Sequence, residues 1–162
     1  AINPVVKAPT LVCDDGAVLM DSSLILDYAE SRVIPEKRLM PAAAGARRDA
    51  LRLIGLALAG MEKCVQTFYE LKRPEERVHA PWLERVIEQA NAAFAELERE
   101  AASAKTWLQG EKLTAADVAV ACAWRFSQHY TSKQVPSARF PALVAYSERA
   151  ESLPEFASTP LD

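Results

Sequence analysis

Cysteine, histidine and glycine are all scarce in this 162-residue sequence, at three, two and five residues. Cys13, Cys64 and Cys122 are odd in number, widely spaced and without a CxxC pair, and His79 and His129 do not complete a zinc set. The pattern argues against a disulfide framework and against a structural or catalytic metal, and it suits a reducing compartment. No apolar run approaches the roughly 18 residues that span a bilayer, and no basic-then-apolar leader opens the chain. Excess positive charge is missing too. Lys plus Arg number 19 against 22 Asp plus Glu, a net charge of −3, spread as −2 over residues 1–40 and −1 over 41–162. Neither nucleic acid nor a membrane surface is the expected partner of such a chain. What is present is apolar side chain: half the residues are hydrophobic and a quarter charged. That is enough for a packed core in one domain, or in two small ones, of a cytoplasmic protein.

Composition changes near residue 40. Alanine occurs 4 times in residues 1–40 and 25 times in residues 41–162, while the first part is richer in Val, Ile and Thr for its length. In that first part, Thr10–Cys13 and Ala17–Met20 flank Asp14-Asp15-Gly16, a turn in which glycine takes a positive φ between two β-prone runs, and a hairpin is expected. After Asp21-Ser22-Ser23, the spacing of Leu24, Ile25, Tyr28 and Ala29 predicts a short helix ending near Arg32. Pro35 and Pro41 then bound a linker over residues 35–43.

From residue 44 the period becomes helical. Leu51, Ile54, Leu58, Met61, Val65 and Phe68 form one stripe along a helix of about seven turns, closed by Pro74. A second helix is expected from Pro81, with Leu83, Val86, Ile87, Ala90, Phe94, Leu97 and Ala101 on its buried face. Each large aliphatic side chain buried between such stripes contributes about 1.5–3 kcal/mol before ordering entropy is subtracted. Thr114-Ala115-Ala116-Asp117 is a capping box with Asp at the third helical position, and Leu113 and Val118 are spaced as a hydrophobic staple. The helix that it opens is apolar around nearly its whole circumference to Trp124, which predicts a central position with neighbours on every side. Two short helices, one after Pro141 and one over Leu153–Ala157, are expected to cover it. No repeat or low-complexity linker is visible, and the expected fold is mainly helical.

Two segments carry a resemblance. Asn3-Pro4-Val5-Val6-Lys7-Ala8-Pro9-Thr10-Leu11, followed by Asp21-Ser22, resembles the glutathione-site signature of the glutathione S-transferase superfamily. Trp107-Leu108-Gln109-Gly110-Glu111-Lys112-Leu113-Thr114-Ala115-Ala116-Asp117 resembles the start of the central helix in its all-α domain. Glu70-Leu71-Lys72-Arg73-Pro74 and Arg139-Phe140-Pro141-Ala142-Leu143 are similar to bacterial members. The resemblance implies the C-terminal part of a thioredoxin-like α/β glutathione-binding domain over residues 1–34 and an all-α domain over 44–162. It also implies that a strand–helix–strand segment, with the residue that engages the glutathione sulfur, belongs before Ala1. The sequence begins partway through that half-domain, and no catalytic residue is assigned within it.

The same resemblance implies a site for glutathione as co-substrate, with no metal. A cis bond at Ala8-Pro9 would turn the Ala8 backbone outward to pair with the cysteinyl unit as an added strand. Asp21 would take the γ-glutamyl ammonium. Ser22 and the free N–H groups of its helix would take the γ-glutamyl carboxylate, because helix N-termini attract anions. Lys7 would reach the glycyl carboxylate. The implied reaction is attack of the glutathione thiolate on a small electrophile, with a thiol pKa of roughly 8.5 lowered by a donated hydrogen bond. The second substrate would lie between the domains against the helix of residues 44–72, where Met61, Val65, Phe68 and Tyr69 are candidates. A homodimer with a role in detoxification is implied as well. Two alternatives share the fold: a non-catalytic interaction or regulatory protein, and a glutathione-dependent isomerase, dehalogenase or thiol reductase.

Simpler readings exist for single residues. Asp21-Ser22 taken alone is a helix cap, Lys7 alone is a solvated charge, and the Thr114–Asp117 box is structural. The three cysteines read as small buried hydrophobes. His129, near the end of the central helix, reads as a satisfied packing residue and His79 as loop.

Overall fold

A computed structural model describes residues 2–161. The chain divides into two compact units, Ala1–Met40 and Pro41–Asp162.

In the first unit, β1 (Thr10–Val12) pairs antiparallel with β2 (Val18–Met20), Leu11 opposite Leu19. The turn between them forms as its residues require: Gly16 has φ +85°, its N–H reaches the Cys13 carbonyl at 2.9 Å, and Asp15 Oδ1 accepts the Ala17 N–H at 3.0 Å. Helix α1 (Ser22–Arg32) follows directly, and a short 3₁₀ turn covers Pro35–Lys37.

The second unit is all helix: α2 (Ala44–Leu71), α3 (Ala80–Ser103), α4 (Ala115–Thr131), α5 (Pro141–Glu151) and the single turn α6 (Pro154–Ala157). Pro81, Pro141 and Pro154 each stand in the first turn of a helix, where the missing N–H has no partner to lose. Helix α2 packs on α3 and α4, α5 packs on α3 and α4, and α6 packs on α5. The core contains an aromatic triangle of Phe94, Trp124 and Phe140 with edge-on contacts of 5.6, 5.6 and 6.3 Å, and Val86, Leu97, Val120 and Leu143 are fully buried as well.

The buried face of α3 includes Val86, Ala90, Phe94, Leu97 and Ala101, as the spacing predicts. On α2 the buried stripe differs from the expected one by one position. Ala50, Leu53, Ala57, Gly60, Cys64 and Thr67 are buried, while Leu51 is exposed and Ile54, Leu58, Met61, Val65 and Phe68 are half-buried. The reason is close approach: a Cβ on Gly60 would lie 3.3 Å from the Phe94 ring, so small residues occupy the contact and the larger ones flank it.

Helix α4 also departs from the expectation of neighbours on every side. Cys122, Arg125 and His129 form an exposed strip on it. Cys122 is therefore not a buried hydrophobe, and His129 is exposed, with its imidazole set edge-on against the Tyr130 ring at 4.5 Å; Cys64 is buried and Cys13 half-buried. Among the described residues of this unit, α2 and α5 are the main neighbours of α4, and they leave one side of it uncovered although its apolar residues run nearly all round.

The capping box forms, and it reaches further than one helix end. Asp117, fully buried, accepts the Thr114 N–H at 2.7 Å and the Thr114 hydroxyl at 2.6 Å on Oδ2. On Oδ1 it accepts the Leu108 N–H at 2.8 Å and the Tyr146 hydroxyl at 2.6 Å. Glu98 on α3 does comparable work for α5, accepting the Ala142 and Leu143 N–H groups at 2.8 Å each.

Candidate functional site

The loop before β1 is held by one side chain that sequence reasoning quoted only as part of a motif. Asn3 is 5% exposed; its Nδ2 donates to the Lys7 carbonyl and to Thr10 Oγ1, both at 3.0 Å, and its Oδ1 accepts the Val5 N–H at 2.8 Å. Thr10 Oγ1 donates in turn to the Lys7 carbonyl at 2.9 Å. A buried polar side chain satisfied on both ends fixes the path of residues 3–10. The signal was in the sequence, as an Asn before proline inside the motif, but its partners are backbone groups that only the fold defines.

This path carries a Val6 φ of +54° and a cis peptide between Ala8 and Pro9. Ala8 is exposed, and its amide and carbonyl enter no hydrogen bond among the described residues. Lys7 turns toward the start of α1, where its Nζ lies 3.6 Å from Asp21 Oδ2. Asp21 caps the helix: Oδ1 accepts the Ser23 N–H at 3.0 Å, with a backbone φ of +75°. That hydrogen bond first, and then the Lys7 charge, hold the Asp21 carboxyl below the usual aspartate range. Ser22, half-buried, is the first residue of the helix. Lys7, Asp21 and Ser22 thus come together beside the open Ala8 edge, offering a cation, an anion, a hydroxyl and a helix N-terminus within one small area.

The second group of predicted residues lies on α2. Met61, Val65 and Phe68 follow one another on one side of the helix, half-buried, and Tyr69 next to them is 66% exposed. Phe68 and Tyr69 meet edge-on at 5.6 Å. Sequence reasoning missed that Phe68 also meets Tyr130 of α4, at 5.2 Å. Among the described residues no cluster of His, Cys, Asp or Glu is arranged to hold a metal ion, and no helix is long and apolar enough to cross a membrane.

Family comparison identifies both parts. Residues 61–154 match the glutathione S-transferase C-terminal domain, and residues 1–36 match the glutathione S-transferase N-terminal domain. The chain belongs to the glutathione S-transferase family. Comparison with curated proteins gives no match. Solved glutathione transferases superpose closely. One from Methylobacterium radiotolerans, in complex with glutathione sulfonate, is 29% identical with a TM-score of 0.89 over 99% of this chain and 78% of its own. A family member from Pseudomonas fluorescens, with bound S-(propanoic acid)-glutathione, is 30% identical with a TM-score of 0.84 over 99% of this chain and 81% of its own. A third, from Methylobacillus flagellatus with glutathione bound, shares the fold with a TM-score of 0.90 at 24% identity, over 99% of this chain and 79% of its own. The transferase fold, with its helical C-terminal domain, is therefore the fold of this chain.

Proposed function

We propose that this chain binds glutathione at Lys7, Ala8, Pro9, Asp21 and Ser22 and serves the transfer of its thiol to small electrophiles, as a cytoplasmic homodimer. The observation that carries the reading is the juxtaposition of Lys7 with Asp21 at 3.6 Å, beside Ser22 and the unpaired Ala8 backbone. Glutathione has one ammonium, two carboxylates and two peptide units, and the cluster offers a partner for each. Asp21, kept ionised by the Ser23 N–H and Lys7, takes the γ-glutamyl ammonium. The Ser22 hydroxyl and the N–H groups at the start of α1 take the adjoining carboxylate. Lys7 is released from Asp21 to the glycyl carboxylate, an exchange that costs little because both groups are about half exposed. The Ala8 backbone pairs with the cysteinyl unit as an edge strand does.

In the transfer the thiol proton passes to solvent and the thiolate sulfur forms a bond to the electrophilic carbon. Where a group is displaced, it leaves with its bonding electron pair. The electrophile lies against Met61, Val65, Phe68 and Tyr69. Relatives with glutathione, glutathione sulfonate or S-(propanoic acid)-glutathione bound support the reading. Calorimetric titration with glutathione tests it. Binding is expected in the parent protein and is expected to be abolished in Asp21→Ala; absence of binding in the parent, or an unchanged affinity in the variant, rejects the proposal.

A further inference from the structure

Two non-glycine residues take a positive φ among the described residues, and both belong to the surroundings of the Lys7–Asp21 pair: Asp21 at +75° and Val6 at +54°. They are not equivalent. An aspartate tolerates the left-handed region because its short side chain can bond to nearby backbone, as Asp21 Oδ1 does with the Ser23 N–H at 3.0 Å. A valine has no such compensation, and its β-branched side chain crowds the backbone there. Val6 is therefore strained where a glycine would be free.

The strain is imposed from both sides. The Val6 N–H is tied to the Asn3 carbonyl at 3.1 Å, and the Lys7 carbonyl that follows accepts from Asn3 Nδ2 at 3.0 Å and from Thr10 Oγ1 at 2.9 Å. Burial does not offset it. Val6 is 83% exposed, so its isopropyl group gains little from the fold, and packing does not select valine over glycine at this position. A strained residue that its surroundings hold in place, with no internal contact to repay it, points to a role outside the folded chain. The ligand end of the loop is one residue away: Lys7 adjoins Val6 at a Cα step of about 3.8 Å, and the unpaired Ala8 backbone follows.

We propose that Val6 is a specificity-determining residue of the glutathione site, its isopropyl group lying against the glycyl unit of the bound peptide, a role that rests on the transferase reading and deepens it. On binding, the side chain recovers the apolar burial that it lacks in the free protein. Lys7 attracts a terminal carboxylate by charge alone and does so for any γ-glutamyl thiol peptide. Val6 favours the peptide in which a small residue stands between the thiol unit and that carboxylate, and so selects glutathione over γ-glutamylcysteine.

Titration calorimetry of glutathione and of γ-glutamylcysteine, under reducing conditions, into the parent and two variants tests the role. Val6→Ala removes the isopropyl group and keeps a side chain at positive φ; Val6→Gly removes group and strain together. Both variants are expected to bind glutathione roughly three- to tenfold more weakly than the parent and to bind γ-glutamylcysteine as the parent does. Val6→Gly should in addition unfold about 2–5 °C higher, because the strain is gone. Glutathione affinity unchanged in both variants overturns the assignment and makes the valine a tolerated strain. An equal loss for the two ligands, or a loss in Val6→Gly alone, overturns it as well, since the effect then lies in the path of the loop. A Val6→Gly protein no more stable than the parent removes the strain that singles out the residue. A parent that does not bind glutathione rejects the transferase reading and this role with it, whereas a parent that binds, with variants that match it, rejects this role alone.

Discussion

The Tyr146 hydroxyl donates to Asp117 Oδ1 at 2.6 Å, joining the first turn of α4 to the middle of α5 through two residues that are almost entirely buried. Burial first, and then the Asp117 hydrogen bond, raise the Tyr146 pKa above its ordinary value, which favours the phenol form that donates this hydrogen bond. The same carboxyl group also takes two groups of Thr114 and the Leu108 N–H. Tyr146→Phe is expected to lower unfolding stability by about 1.5–3 kcal/mol, as loss of one hydrogen bond to a carboxylate does. Asp117→Ala strands four donors at once and should cost about 3–5 kcal/mol or prevent folding. Urea unfolding measures both, and a smaller loss for Asp117→Ala than for Tyr146→Phe would contradict the network.

Two glycines of α2 should respond to alanine in opposite senses. At Gly55 no atom lies within 4 Å of the added methyl, so Gly55→Ala gains helix propensity and stabilises by up to about 1 kcal/mol. At Gly60 the methyl would meet two Phe94 ring carbons at 3.3 and 3.4 Å and the Ala93 Cβ at 3.4 Å. Phe94 is wedged between Trp124 and Phe140 and has no room to retreat, so the overpacking cost of about 1–3 kcal/mol exceeds the propensity gain. Thermal unfolding of the two variants side by side gives the comparison; a Gly60→Ala protein more stable than the parent would show that the contact is loose.

Asn3 is the support of the proposed glutathione site, touching Lys7 and Thr10 but offering nothing to a ligand directly. Asn3→Ala leaves the Val5 N–H and the Lys7 carbonyl short of a partner and should lower stability by about 1–3 kcal/mol. Glutathione affinity is expected to fall with it, and Asn3→Asp, which keeps the Val5 acceptor and loses the Lys7 donor, should recover only part. Titration calorimetry at a temperature where each variant is folded separates the binding loss from the stability loss. An unchanged affinity in Asn3→Ala would mean that residues 3–10 keep their path without it.

The hydrogen bond from the His79 N–H, followed by the Arg73 guanidinium, holds the Glu70 carboxyl below its ordinary value of 4.5. A carboxylate with a depressed folded-state pKa adds stability that is fully present above the unfolded value. That contribution is lost as pH falls through the folded one. The stability difference between the parent and Glu70→Gln should therefore be constant above about pH 5 and shrink steadily below pH 4.5. Chemical denaturation at pH 7, 5, 4 and 3 reads the trend, and a difference that grows on acidification contradicts it.

Features that depend on a few neighbouring residues were legible in the sequence. The Asp14-Asp15-Gly16 turn, the Thr114–Asp117 cap and the proline helix starts form where local conformational preference places them. The family was legible for the same reason, since Asn3–Leu11 and Trp107–Asp117 are contiguous motifs. Residues 70–73, also quoted from sequence, proved to be an anchor, because Glu70 is satisfied by His79, nine positions on.

The stripe of α2 that faces the core was decided by tertiary structure. Hydrophobicity favours Leu51, Leu58 and Val65, but the close approach of Phe94 on α3 at Gly60 turns a stripe made mostly of smaller residues toward the core, and interhelical distance is not a property of either helix alone. The exposure of Cys122 and His129 depends likewise on which helices arrive to cover α4, and the meeting of Phe68 with Tyr130 depends on the packing of α2 against α4. Local sequence determined where the chain turns, caps and begins its helices, because those choices are made within a few residues. Only packing determined which side chains those helices hide and which they leave exposed.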